Sequence, residues 1–146
     1  EIKRNPTSRR LVVSAWNHLQ IAQMALPPCH YSFQVTVIDD KVNLLWNQRS
    51  VDTMLGLPFN IASYGFLLHL LARESGRGEG KLVGFLGDVH IYKNHVEGAE
   101  MQVARQQYPL PVVETSPFTS IFQWKHGDTK VIDYQHHPPI PFPIAV

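Results

Sequence analysis

Chemistry in this chain starts from Cys29, its only cysteine, which stands in ALPPCHYSFQ behind two prolines and ahead of a histidine. A thiolate is a strong nucleophile, and a cation nearby favours it. A lone cysteine is more often a small buried hydrophobe, so a role for Cys29 depends on what the fold brings beside it. Arg49 and Ser50, in NQRSVD, offer a planar fork and a hydroxyl, a pair suited to a phosphate. A surface salt bridge is the plainer use of such an arginine. Arg9 and Arg10 are adjacent, and neighbours on an extended chain point to opposite faces, so gripping one anion together needs a bend. Asn60, in LGLPFN, follows Pro58 where a buried helix is expected to begin, which is the place of an N-cap. Its amide carries a donor and an acceptor, which also suits an imide edge such as uracil's. His90 and Tyr92, in GDVHIY, are two apart and share a face if the segment is a strand. Together they could hold a sugar hydroxyl, though core polar residues with local partners have the same spacing.

These groups need a frame. RRLVVSAWN reads as a short strand. In SFQVTVIDDKVNLLWNQRS, Phe33, Val35 and Val37 alternate, then Val42, Leu44 and Trp46, around Asp39 and Asp40. That is a hairpin signal. NIASYGFLLHLLARES is apolar on nearly every side, as in a helix buried against a sheet. GRGEG ends it and KLVGFLGDVHIY returns as a strand. NHVEGAEMQVARQQ reads as a second, amphipathic helix. Beyond Tyr108 the chain is rich in proline, with short strands expected at 119–124 and 129–134. The ending HHPPIPFPIAV is irregular, because proline removes donors and fixes φ. No internal repeat and no clear boundary divides the chain. Strands and helices mix without a strict βαβ rhythm, so the expected class is α/β or α+β with a mixed sheet.

The 146 residues suffice for one domain with a real core. At 44% hydrophobic, 17% charged and a net charge of +1, the composition is ordinary and gives no bulk field toward nucleic acid or membrane. One cysteine excludes an internal disulfide and cysteine-rich zinc modules, and fits a reducing compartment. No apolar run reaches the length of a membrane span. The glycines at 76, 78 and 80 match neither a P-loop, since Leu82 follows Lys81, nor a dinucleotide fingerprint. His90 and His95 are five apart, which does not set two ligands on one helical face, so no metal is expected.

SRRLVVSAWN, MALPPCHYSFQ, QRSVDTMLGLPFNIASY, GDVHIYKNH and HHPPIPFPIAV occur in the order and spacing of the thymidylate synthases. The chain closely resembles that family over essentially its whole length. The resemblance is to the second half or so of a member, as expected of a chain that opens EIKRN without Met. Residues 1–146 are therefore expected to be the C-terminal part of one catalytic domain. The absent upstream part would supply a further phosphate arginine, a glutamate for proton transfer and tryptophans against folate, so these residues alone should not be a working enzyme.

The resemblance implies an α+β fold with a mixed sheet packed against that of a second copy in a homodimer. It implies methylation of dUMP to dTMP by 5,10-methylenetetrahydrofolate, which also supplies the reducing hydride. It makes Cys29 the nucleophile that adds to C6 of uracil. Gln48, Arg49, Ser50, Asp52, Asn60, His90 and Tyr92 become contacts to dUMP, with Arg49, Asn60 and Asp52 sharing in catalysis. Arg9 and Arg10 reach the phosphate in the other subunit. Asn60 reads the uracil edge, and cytosine-specific relatives carry aspartate there. Asp52, Leu55, Gly56, Phe59, Ala145 and Val146 face the folate. Asn47 stands where many members have an aromatic residue and hydroxymethylase relatives can have Asn, so a dUMP hydroxymethylase is the alternative. A non-catalytic nucleotide- or RNA-binding remnant is a second, opposed by the presence of Cys29, Arg49, Asn60 and Val146. A cytoplasmic location follows from the substrate and the lone cysteine.

Overall fold

The computed structural model describes residues 1–144, which fall into two compact units that divide after His90. The first unit holds a four-stranded sheet in the order β1-β2-β3-β4, from β1 (Val12–Ser14), β2 (His30–Ile38), β3 (Lys41–Asp52) and β4 (Gly78–His90). The first two pairings are antiparallel and β3–β4 is parallel, so the sheet is mixed. A parallel pair needs a crossover, and α1 (Gly56–Ser75) supplies it. Mixed α+β architecture is therefore what the chain forms.

The hairpin β2–β3 follows from its sequence. Asp39 and Asp40 adopt positive φ of 50° and 56°, the two-residue turn whose twist matches paired strands. Along β3, Val42, Leu44, Trp46 and Gln48 are buried in alternation. They face α1 together with Val35 of β2, packing against Leu68 and Ala72 of the helix. Each such aliphatic side chain contributes roughly 1.5–3 kcal/mol when fully buried. One extra residue, Tyr31, interrupts the ladder between His30 and Ser32. This bulge pairs His30 with Gln48 on the helix-facing side, while Ser32 and Asn47 pair on the other.

The helix starts earlier than expected. Its first residue is Gly56, so Pro58 lies in the first turn, where a missing N–H costs nothing. Asn60 is thus inside the helix and is not its N-cap. No side chain caps the helix, whose N-cap position is Leu55; Asp52 Oδ1 instead accepts from the N–H groups of Met54 and Leu55 at 3.1 and 3.2 Å, in the turn that leads into it. At the other end Gly76 takes φ +68°, and Arg77 N–H bonds to the Ala72 carbonyl, a left-handed C-terminal stop. The glycines at 78 and 80 already belong to β4, which removes any phosphate loop there.

On β4, Gly84 lies opposite Trp46, and a Cβ there would sit 2.5 Å from the indole ring. Gly84→Ala is expected to cost about 1–3 kcal/mol of stability through overpacking, read from urea unfolding midpoints. An unchanged midpoint would show that the indole yields freely.

The second unit contains α2 (Val96–Val103) and a two-stranded antiparallel sheet of β5 (Val112–Thr115) and β6 (Thr129–Ile132). The expected second helix is there but ends at Val103. The expected strand at 129–134 is β6. The one at 119–124 is not formed: those residues make a turn, in which Gln123 and Trp124 donate back to the Ser120 and Ile121 carbonyls. The partner of β6 is instead Val112–Thr115, which follows Pro109 and Pro111. The tail through Ile144 is irregular, as its prolines require. No helix among the described residues is long and apolar enough to cross a membrane.

Candidate active site

The open end of the hairpin brings the chemistry together. The Arg49 backbone N–H donates to the Cys29 carbonyl at 2.8 Å. The Arg49 side chain turns back over the same loop, its Nε donating to the Pro28 carbonyl at 3.1 Å and Nη2 to the Pro27 carbonyl at 2.8 Å. The face of its guanidinium lies 5.9 Å from the centre of the Trp16 ring, within cation–π range. The two prolines preceding the thiol therefore present their carbonyls to the cation, which seats the guanidinium on the loop that carries Cys29. Nη1 of Arg49 has no partner among the described residues and remains available to an anion. Cys29 is free and half-buried.

On the helix-facing side, Gln48 is 3% exposed. Its Nε2 donates to Asn60 Oδ1 at 3.0 Å and to the Ser50 carbonyl at 3.1 Å, and its Oε1 accepts from Trp46 Nε1 at 3.2 Å. Asn60 and Asp52 both flank Gly56: a Cβ added there would lie 3.6 Å from Asp52 Cβ and 3.7 Å from Asn60 Oδ1. His90, the last residue of β4, pairs with Asp52, and its carbonyl accepts from Thr53 N–H at 3.1 Å. Cys29, Gln48, Arg49, Ser50, Asp52, Asn60 and His90 thus form one contiguous set.

Not every expected residue joins it. The strand ends at His90, so alternation does not carry through to Tyr92, which belongs to the second unit and meets His95 edge-on there. Arg9 and Arg10 precede β1. The chain bends at Arg9, and both arginines line a shallow cleft with Asn5, Thr7 and Ser8, both exposed. Phe59 is 73% exposed beside the helix start, next to exposed Ile61. Ala145 and Val146 lie outside the described residues. Asn47 donates to Ser32 Oγ at 3.1 Å on the sheet face away from α1, so it does not stand beside Asn60. Among the described residues no three His, Cys, Asp or Glu side chains are grouped to hold a metal ion.

Two residues beside these, Trp46 and Tyr64, escaped the sequence reading. Trp46 is two before Gln48 on β3, and that spacing alone places them on one face. Tyr64, one turn beyond Asn60, bonds His30 Nδ1 at 3.0 Å and stacks on Trp46 with ring centres 5.3 Å apart. Burial raises the Tyr64 hydroxyl's pKa above the ordinary 10.0. The folded state thus favours neutral tyrosine. This contribution to stability is whole below the ordinary tyrosine value and is lost as pH rises through the raised one. Unfolding midpoints measured from pH 8 to 11 should fall more steeply for the native protein than for Tyr64→Phe; equal slopes would exclude the effect.

A thiol, a guanidinium on the loop that carries it and a side-chain amide lie at one end of a mixed sheet and its crossover helix, in an α+β protein. The thymidylate synthase family model matches residues 1–146, and the chain belongs to that family. The family comprises methyltransferases of dTMP biosynthesis that bind dUMP and folate and use methylenetetrahydrofolate.

Proposed function

We propose that residues 1–146 are the C-terminal part of a single catalytic domain that converts dUMP to dTMP with 5,10-methylenetetrahydrofolate. The observation that carries this is Arg49 clamped on the carbonyls of Pro27 and Pro28, which holds a phosphate-ready cation beside Cys29. Nη1 of Arg49 and the Ser50 hydroxyl receive the phosphate. The Cys29 thiolate adds to C6 of uracil; the C5–C6 double bond opens and its electron pair moves toward C5 and O4. Asn60 Nδ2 donates to O4 as charge develops there. C5 is then nucleophilic; once it has been substituted, loss of its proton to water or a base supplies the electron pair that re-forms the C5–C6 double bond and breaks the Sγ–C6 bond. His90, at the end of β4, is the contact to the 3′-hydroxyl on this unit.

The folate supplies the one-carbon unit and the hydride, and leaves as dihydrofolate. The residues present fit such a group. Asp52 spends Oδ1 on the helix start, and its Oδ2, without a partner among the described residues, is open to a ring N–H. Leu55, Gly56 and exposed Phe59 offer apolar surface for a flat ring. Val12, Phe85 and Val89, each more than half exposed on the sheet face away from α1, suit a second copy. In that homodimer Arg9 and Arg10 reach the partner's phosphate. The lone thiol and the nucleotide substrate fit the cytoplasm.

The test supplies dUMP and methylenetetrahydrofolate to the full-length native protein, follows dihydrofolate by absorbance and weighs the nucleotide product. Dihydrofolate with dTMP is expected. Tetrahydrofolate with 5-hydroxymethyl-dUMP would mean a hydroxymethylase, and no turnover with RNA binding a non-catalytic remnant.

A further inference from the structure

The hydrogen bonds around Gln48 form a chain with unambiguous ends. The Trp46 indole N–H can only donate, and the Ser50 backbone carbonyl can only accept. Between them lies the Gln48 amide, with the Asn60 amide branching from it, and either could in principle be turned over. The ends decide both. Gln48 must aim Oε1 at Trp46 and Nε2 at Ser50, where the distances are 3.2 and 3.1 Å. Its second Nε2 hydrogen then points at Asn60, 3.0 Å away, so the atom of Asn60 on that side must be the acceptor Oδ1. Asn60 is left presenting Nδ2 as a donor and the second lone pair of Oδ1 as an acceptor.

That order matches one pyrimidine edge. Uracil offers an acceptor at O4 and a donor at N3. Cytosine offers the reverse, a donor at N4 and an acceptor at N3. To read cytosine, Asn60 would have to turn over and set Nδ2 against Gln48 Nε2, donor to donor. Gln48 could relieve this only by turning too, which would set Oε1 against the Ser50 carbonyl and Nε2 against the indole N–H. All three contacts are buried or half-buried, where such mismatches are costly.

We propose that Trp46, acting through Gln48, is a positioning residue that latches the Asn60 amide in the uracil-reading orientation and so sets selectivity for a uracil over a cytosine nucleotide. The latch rests on the proposed dUMP site and adds the residues that fix its selectivity.

Two variants test it in the full-length native protein, with dUMP and dCMP dissociation constants measured by calorimetry. Trp46→Phe keeps the ring against Tyr64 and Gly84 and removes only the N–H. It is expected to narrow the dUMP:dCMP affinity ratio by about tenfold, the scale of one buried hydrogen bond. Gln48→Glu presents only acceptors to Asn60, whose amide then turns Nδ2 inward and Oδ1 outward. It is expected to gain dCMP affinity outright, a gain that misfolding cannot produce. A folded Trp46→Phe with the native ratio, together with Gln48→Glu lacking any gain for dCMP, would overturn the latch and leave the dUMP site standing. Native protein that binds no dUMP would overturn the site and the latch with it.

Discussion

Replacing Cys29 by serine is expected to abolish turnover while dUMP still binds. The hydroxyl has nearly the size of the thiol, so the loop and the Arg49 N–H bond to the residue 29 carbonyl survive the change. A serine hydroxyl is scarcely ionised near neutral pH, and none of the hydrogen bonds at this loop gives residue 29 a general base. Loss of the nucleophile should therefore lower kcat by at least about a thousandfold. Calorimetry with dUMP should still show binding, because the phosphate and the pyrimidine edge meet other residues. A serine variant retaining more than a few per cent of native turnover would remove Cys29 from the chemistry.

Arg49→Lys keeps the charge and should still cost about a hundredfold in kcat/KM for dUMP, since one ammonium cannot replace a fork that binds several groups at once. Native Arg49 uses Nε and Nη2 on the two proline carbonyls, and its Nη1 has no partner among the described residues, as the proposed phosphate contact requires. A lysine must choose. If it bonds the carbonyls, the phosphate loses its partner; if it turns to the phosphate, the loop bearing Cys29 is released. Deoxyuridine, which has no phosphate, separates these two. A variant that binds deoxyuridine as the native protein does, yet binds dUMP weakly, has lost the phosphate contact alone. Equal kcat/KM for the lysine variant and the native protein would show that the fork is not needed.

Legibility in the sequence followed the range of the interactions. The hairpin could be read because alternation and the Asp39–Asp40 turn are local. The helix could be read as buried, but its start could not: Asp52 holds the turn before it from the preceding strand, and Pro58 looked like a break while being a first-turn residue. Strand β5 was hidden by Pro109 and Pro111, and its pairing with β6 is a tertiary choice. The apolar residues at 119–124 close a turn, which period alone does not distinguish from a short strand. Cys29, Arg49 and Asn60 were legible as residue types, with a resemblance to assign them roles. Their meeting was not, since it depends on the bulge at Tyr31 and on the proline carbonyls turning toward Arg49.

Cys29 and Arg49 face each other across the mouth of the hairpin that turns at Asp39 and Asp40. Their encounter therefore needs no distant part of the chain. Hairpins close in about 1–10 μs, whereas the parallel pairing of β3 with β4 must wait for the intervening helix and pays the entropy of a longer loop. The thiol and its cation are thus neighbours early in folding, before the helix carrying Asn60 has docked. A chain emerging during synthesis presents its thiol–guanidinium pair to solvent and oxidants while the rest is still unformed. Refolding yield should accordingly depend on reductant during this interval more than after it.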